Sequence, residues 1–279
     1  QAGVTIGMLM ATFIVSLMTL FSEADFLSWG WRIPFLLSSV LVLLGLWIRK
    51  DIDETPDFQK VKASGQVAKA PLRDTLKHHW REVLIAAGLK VVETAPFYIF
   101  STFVVSYATS TLTYQKSQAL EAVTLGALVA TLMIPLMGLL SDKVGRQRMY
   151  AISVFVLGLF IVPWFMLLNT GTTWGIVLAT VIAFGVLWAP VTAVLGTLCS
   201  EIFSANVRYT GITLGYQLGA ALAGGTAPLI ATGLLAKYDG GWVPVAWYLA
   251  VTVTISLIAI FCASRVKRAT LIQAQPERL

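Results

Sequence analysis

The run from Val83 to Tyr107 constrains this chain more than any other stretch. It is apolar and long enough to cross a bilayer as one helix. Yet it carries Lys90, Glu93 and Pro96. Glu93 lies about 11 residues past the polar edge at Glu82, and at ~1.5 Å of rise per residue that is ~16 Å deep, close to a membrane midplane. An ionisable side chain at that depth is expensive, and its default reading is a proton or substrate path. Lys90 precedes Glu93 by one helical turn, so the two head groups share a face. The competing reading is a buried ion pair that only locks helices together.

The rest of the chain agrees with a membrane solute. It is 57% hydrophobic and only 12% charged, with mean hydropathy +0.78; an ordinary soluble domain carries roughly twice that charged fraction. Eight apolar runs read as spans, roughly Val4–Phe21, Ile33–Ile48, Val83–Tyr107, Ala119–Leu140, Tyr150–Leu168, Trp174–Leu198, Gly211–Leu235 and Pro244–Ala263. Nine Trp and eight Tyr suit interfacial anchoring. No signal peptide is visible. The chain opens at Gln1 directly against the first run, without an initiator Met, which reads as a cut chain.

The net charge of +6 does not point to nucleic acid. The basic residues sit in short loops between apolar runs, and they sit unevenly. One set of loops holds Arg49, Lys50, Lys60, Lys62, Lys69, Arg73, Lys77, Arg81, Lys143, Arg146, Arg148 and Arg208, and the C-terminal tail adds Arg265, Lys267, Arg268 and Arg278. The alternate loops hold Arg32, Lys116 and Lys237. By the positive-inside rule the first set is cytoplasmic, so both ends of this chain face the cytoplasm of a bacterial inner membrane. The longest polar segment divides the chain. The expected organisation is residues 1–48 as two helices, 49–81 as a cytoplasmic loop, 82–268 as a six-helix block and 269–279 as a tail. A six-span block after a long central loop is a recurrent unit of transporters.

Two loops carry patterned charge. Gly138, Ser141, Asp142, Lys143, Gly145, Arg146 and Arg148 join two spans. Gly138 would let a neighbouring helix approach, Asp142 would end one helix facing the positive end of another, Gly145 would permit a sharp turn, and the arginines would stay at anionic headgroups. Such a joint reads as a breakable latch, against the plainer reading of a short basic loop. Glu201 and Arg208 flank the link between the sixth and seventh spans. With Asp142 they form a candidate charge network, against the reading of solvated loop charges. Gly211, Gly215 and Gly219 recur every fourth residue, a spacing that favours close helix packing. Gly224, Gly225 and Pro228 should weaken or kink the same helix. Phe97, Tyr98, Trp188 and Gln217 are candidates to line a cavity.

The spacing Gly-x-x-x-Asp-x-x-Gly-Arg over Gly138–Arg146 resembles the loop signature of the major facilitator superfamily. Gly30-Trp31-Arg32-Ile33-Pro34-Phe35 and Glu54-Thr55-Pro56-Asp57-Phe58 narrow the resemblance to its metabolite–proton symporters, which transport shikimate, α-ketoglutarate, proline or betaine. The implied fold is an all-α membrane protein, a partial major facilitator bundle of about eight transmembrane helices. It would hold a complete C-terminal six-helix half plus two helices of the N-terminal half. The implied partners are a small metabolite, a proton, the lipid bilayer and the missing N-terminal helices.

Other chemistries lack their residues. No Gly-rich loop ends in Lys-Ser/Thr, so an ATP-driven pump is unsupported. Cys199 and Cys262 lie far apart, and the adjacent His78 and His79 point different ways on a helix, so neither a disulfide framework nor a metal or cofactor site is expected. No hydrolase triad is visible, and an enzyme is not expected. The function expected is proton symport of a small organic acid, with Glu93 as the proton carrier and Lys90 as the cation for a carboxylate. The alternatives are a proline/betaine symporter, or a non-transporting sensor or scaffold of the same fold.

Overall fold

The computed structural model describes residues 1–18, 25–50, 59, 71–203 and 207–273. All of its regular elements are helical, and no strand occurs among the described residues. The sequence segments Glu54–Phe58 and Ser204–Asn206, the loop lysines at 60, 62 and 69, and the tail from 274 lie outside them. The chain divides into two compact units, Gly3–Val67 and Ala68–Leu279, the second including Gln1–Ala2.

In the smaller unit, α1 is Ala2–Met18 and α2 is Arg32–Lys50, the latter preceded by a π-helical turn at Phe26–Gly30. No residue of α2 is buried, although Leu36, Val40, Leu43 and Trp47 are large and apolar. A helix that is apolar all round without a protein partner is built for lipid or for another helix. Its start is pinned by Arg32, whose guanidinium lies 4.4 Å from the Trp31 ring centroid and donates to the Ser28 carbonyl at 2.8 Å.

The larger unit starts with a short helix, α3 (Pro71–His78), inside the segment that the sequence reads as loop. Six long helical regions follow. They are α4 (Trp80–Ser110), α5 (Lys116–Val144), α6 (Arg146–Leu168), α7 (Thr173–Ser200), the broken pair α8 (Arg208–Ala223) and α9 (Ala227–Lys237), and α10 (Val243–Gln273). With Leu27–Lys50 these give, among the described residues, seven helices long and apolar enough to cross a membrane, where the sequence suggests eight. The first expected span appears as the shorter apolar helix α1, and residues 19–24 that would extend it lie outside the described set. The protein is an all-α, multi-pass membrane protein.

Small residues set the packing. A Cβ added to Gly215 would lie 2.5 Å from the Ala86 Cβ, and one added to Gly219 would lie 2.5 Å from the Ala87 carbonyl oxygen and 2.7 Å from the Lys90 Cβ. Helix α8 therefore rests backbone to backbone on α4, as the four-residue glycine spacing suggests. Gly211 makes the same allowance for the Phe203 ring. On the other side of α4, Gly88 faces Ala259 of α10. The expected weak point at Gly224–Gly225 is a full break, a turn that separates α8 from α9.

Prolines and π turns occur together in the two most buried helices. Helix α4 contains Pro96 and then a π turn at Ile99–Phe103. Helix α7 contains a π turn at Val181–Leu187 followed by Pro190. Proline removes an N–H from the ladder, and π bulges are concentrated at functional positions. The interior is strongly aromatic: Trp164 and Trp188 are fully buried, and Trp164 packs edge-on to Phe100 and Phe165 at 5.0 and 4.7 Å. Those two tryptophans are core residues rather than the interfacial anchors that composition alone suggests; Trp174 and Trp247 are exposed. At the α4–α5 connection the Tyr114 hydroxyl donates to the Leu168 carbonyl at 2.9 Å, and burial pushes that phenol above its ordinary pKa.

Candidate functional site

Helix α4 brings Lys90 and Glu93 together as their spacing requires, with Nζ 2.5 Å from Oε2. Glu93 is the one charged residue that is buried among the described residues. Its carboxylate has two further donors. The Thr94 hydroxyl reaches Oε2 at 2.9 Å, and the Thr192 hydroxyl of α7 reaches Oε1 at 3.1 Å. A buried charge is tolerable when it is paired and hydrogen-bonded in this way. Hydroxyls both donate and accept, so the same two threonines can serve a neutral carboxyl or an anionic one.

The backbone of this turn is held from three sides. Trp188 of α7 donates its indole N–H to the Glu93 carbonyl at 2.7 Å. Tyr150 of α6 donates to the Leu89 carbonyl at 2.6 Å. Ser256 of α10 donates to the Gly88 carbonyl at 2.6 Å and accepts from the Val92 N–H at 3.1 Å. Gly88 and Val92 are four residues apart, so the serine inserts into one rung of the helical ladder. One helical turn beyond Glu93, the half-buried Phe97 packs against Trp188 at 5.2 Å and Phe184 at 5.6 Å, with Tyr98 edge-on at 5.4 Å.

Of the residues singled out from sequence, Lys90, Glu93, Phe97 and Trp188 share this one locus. Tyr98 is exposed at its edge. Gln217 is exposed. At about 100° per residue it points roughly opposite to Gly215 and Gly219, the glycines that rest on α4. Thr94, Thr192, Tyr150 and Ser256 carry no motif. Thr94 adjoins Glu93, Tyr150 follows the basic turn at Arg146–Arg148, and Ser256 continues the alternation of Thr252 and Thr254, so nothing in their surroundings singles them out.

The second charged locus is the α5–α6 turn. Gly145 ends α5 with φ +95°, a conformation that favours glycine. Arg146 then bridges two carboxylates, Asp142 at 3.1 Å and Glu201 at 2.6 Å. The cation between them is thus Arg146, while Arg208 donates to the Phe203 carbonyl at 3.4 Å. A Cβ at Gly138 would meet nothing within 4 Å. The close helix approach expected there is therefore not made by any described residue. No group of three or more potential metal ligands occurs among the described residues.

The chain as a whole is similar to known proteins. The model of the Major Facilitator Superfamily matches residues 1–224 and 91–278, and the chain belongs to that superfamily. It is similar to the shikimate transporter of Escherichia coli (strain K12), 32% identical over 96% of this chain and 62% of that protein. It is 30% identical to the inner membrane metabolite transport protein YhjE of the same organism, over 97% of this chain and 62% of the relative. The proline/betaine transporter of that organism is 29% identical over 92% of this chain and 52% of its own length. The chain therefore spans between about half and two thirds of the length of these relatives. No solved structure matches it.

Proposed function

We propose that this chain is the coupling-site portion of a secondary active transporter that moves a small organic acid together with a proton across the bacterial inner membrane. The observation that carries the reading is the buried Lys90–Glu93 pair with its two threonine hydroxyls. The Glu93 carboxylate is held by one ammonium and two neutral hydroxyls, so the charge balance of the site rests on Lys90. A substrate carboxylate that takes over Lys90 tips this balance, and Glu93 then accepts a proton. Substrate and proton are linked because each changes what Lys90 pairs with. The relatives that transport shikimate and metabolites support the organic-acid class.

In the same reading the α5–α6 turn is the cytoplasmic latch. The Asp142–Arg146–Glu201 bridge forms in one conformation and opens in the other. An element of this kind needs only a difference between two states, not a large absolute stability. A second reading, symport of a zwitterionic solute, is favoured by the similarity to the proline/betaine transporter. The test is uptake of labelled shikimate, α-ketoglutarate and proline by cells expressing the complete gene, with and without a proton uncoupler. Uncoupler-sensitive accumulation of a carboxylate supports the organic-acid reading. Accumulation of proline alone favours the zwitterion, and no accumulation of any of them points to a non-transporting scaffold.

A further inference from the structure

The Lys90 ammonium has a second neighbour besides Glu93. It lies 4.7 Å from the ring centroid of Tyr216, on α8. That distance is within the range at which a ring face holds a cation. The contact exists because Gly215 and Gly219 bring α8 down onto α4, with Gly219 directly against the Lys90 Cβ. Tyr216 carries an anomaly of its own. Its hydroxyl is buried and has no oxygen or nitrogen partner among the described residues. The Cys199 thiol of α7 faces it but is a weak donor and a weak acceptor. The residue across from the hydroxyl is Gly196, where an added Cβ would still lie 3.8 Å away. Buried phenol hydroxyls ordinarily find a partner.

The pairing at Glu93 shows which bond is free to change. Its carboxylate has three donors, and two of them are hydroxyls that remain if Lys90 leaves. Lys90, by contrast, keeps the Tyr216 ring when it loses Glu93. The ammonium is thus the movable member, and Tyr216 marks the side on which it stays. An ammonium beside a phenol O–H that only a weakly bonding thiol faces is a two-donor site for a carboxylate: the ammonium supplies charge and the phenol supplies direction.

We propose that Tyr216 is a substrate-binding residue, and that its hydroxyl and Lys90 together take the carboxylate of the transported anion. This rests on the organic-acid reading above, and it assigns the carboxylate end to α8 rather than to the aromatic cluster around Phe97. Tyr216→Phe keeps the ring, and with it the hold on Lys90, but removes the O–H. Loss of one hydrogen bond to a charged group corresponds to about a tenfold or greater loss of affinity. Tyr216→Leu removes both and weakens binding further.

The experiment measures ligand-induced shifts in melting temperature. It uses the protein expressed from its complete gene in lipid nanodiscs, titrated with sodium shikimate, α-ketoglutarate and acetate against sodium chloride. Methyl shikimate serves as the uncharged analogue. The expected result is that at least one carboxylate stabilises the wild type at about tenfold lower concentration than Tyr216→Phe. The variant should keep its discrimination against methyl shikimate, which the Lys90 ammonium supplies, while melting like the wild type without ligand. An unchanged carboxylate midpoint in Tyr216→Phe overturns the assignment of Tyr216 and leaves the organic-acid reading intact. No stabilisation of the wild type by any carboxylate overturns both.

Discussion

The larger unit contains two ion-pair sites built from the same chemistry, and their surroundings make them different devices. At the first, Lys90 and Glu93 are 15% and 9% exposed, within a shell of hydroxyls and aromatic rings. At the second, Arg146 and Asp142 are 36% and 59% exposed, at the end of a helix. Coulomb attraction at a given distance is several times larger in a protein interior than in water, and so is the penalty for leaving one partner alone. The buried pair is therefore a site where removing one charge is severe and where, in the proposed function, a proton or a ligand substitutes for a partner. The exposed bridge has little stability to lose.

The largest expected effect breaks this contrast directly. Glu93→Gln leaves the Lys90 ammonium buried without its anion, which costs ~3–5 kcal/mol when one partner of a buried pair is removed. Uphill accumulation should disappear while membrane insertion persists. The double variant Lys90→Met with Glu93→Gln should recover most of the melting temperature and none of the accumulation. If Glu93→Gln still concentrates substrate in a proton-dependent way, Glu93 is not the carrier.

A smaller effect sharpens the role of packing. Gly219→Ala drives a methyl group into the Ala87 carbonyl and the Lys90 Cβ, and overpacking of this kind costs ~1–3 kcal/mol. Gly233→Ala, where nothing lies within 4 Å, should stay within ~0.5 kcal/mol of wild type. Equal melting temperatures for the two variants would show that the approach of α8 to α4 does not hold the buried site in place.

The smallest stability effect belongs to the exposed bridge. Asp142→Asn should change stability by ~1 kcal/mol or less, and that difference should shrink as salt is raised. Its signature is kinetic: slower transport with nearly unchanged equilibrium affinity. A large loss of affinity in properly folded protein would couple the α5–α6 turn to binding and erase the distinction between the two sites.

Much of this was legible along the chain because it depends on local spacing. Lys90 and Glu93 had to share a helix face, Gly145 had to stand at a turn, and glycines at every fourth position had to favour close contact. The partners of those groups were not legible. Thr192 lies 99 residues from Glu93 and Ser256 lies 168 from Gly88, and nothing in a run of apolar residues says which lone hydroxyl will face which helix. The α5–α6 turn shows the same limit. Two of its charges followed from the Asp142–Arg146 spacing, but the choice of Glu201 as the other carboxylate of Arg146 needed α7 to end beside it.

The sequence by itself determined the solvent and the element type. Long apolar runs leave the backbone no hydrogen-bond partners but its own, and this forces helices. The tertiary structure alone decided what the buried charges and rings do. It placed two tryptophans in the core, brought the Thr192 hydroxyl of α7 to Glu93, and set the Tyr216 ring against Lys90 with its hydroxyl facing the Cys199 thiol. The physical reason is that helix formation is a property of neighbours along the chain, whereas the environment of a buried group is set by which helices meet across it.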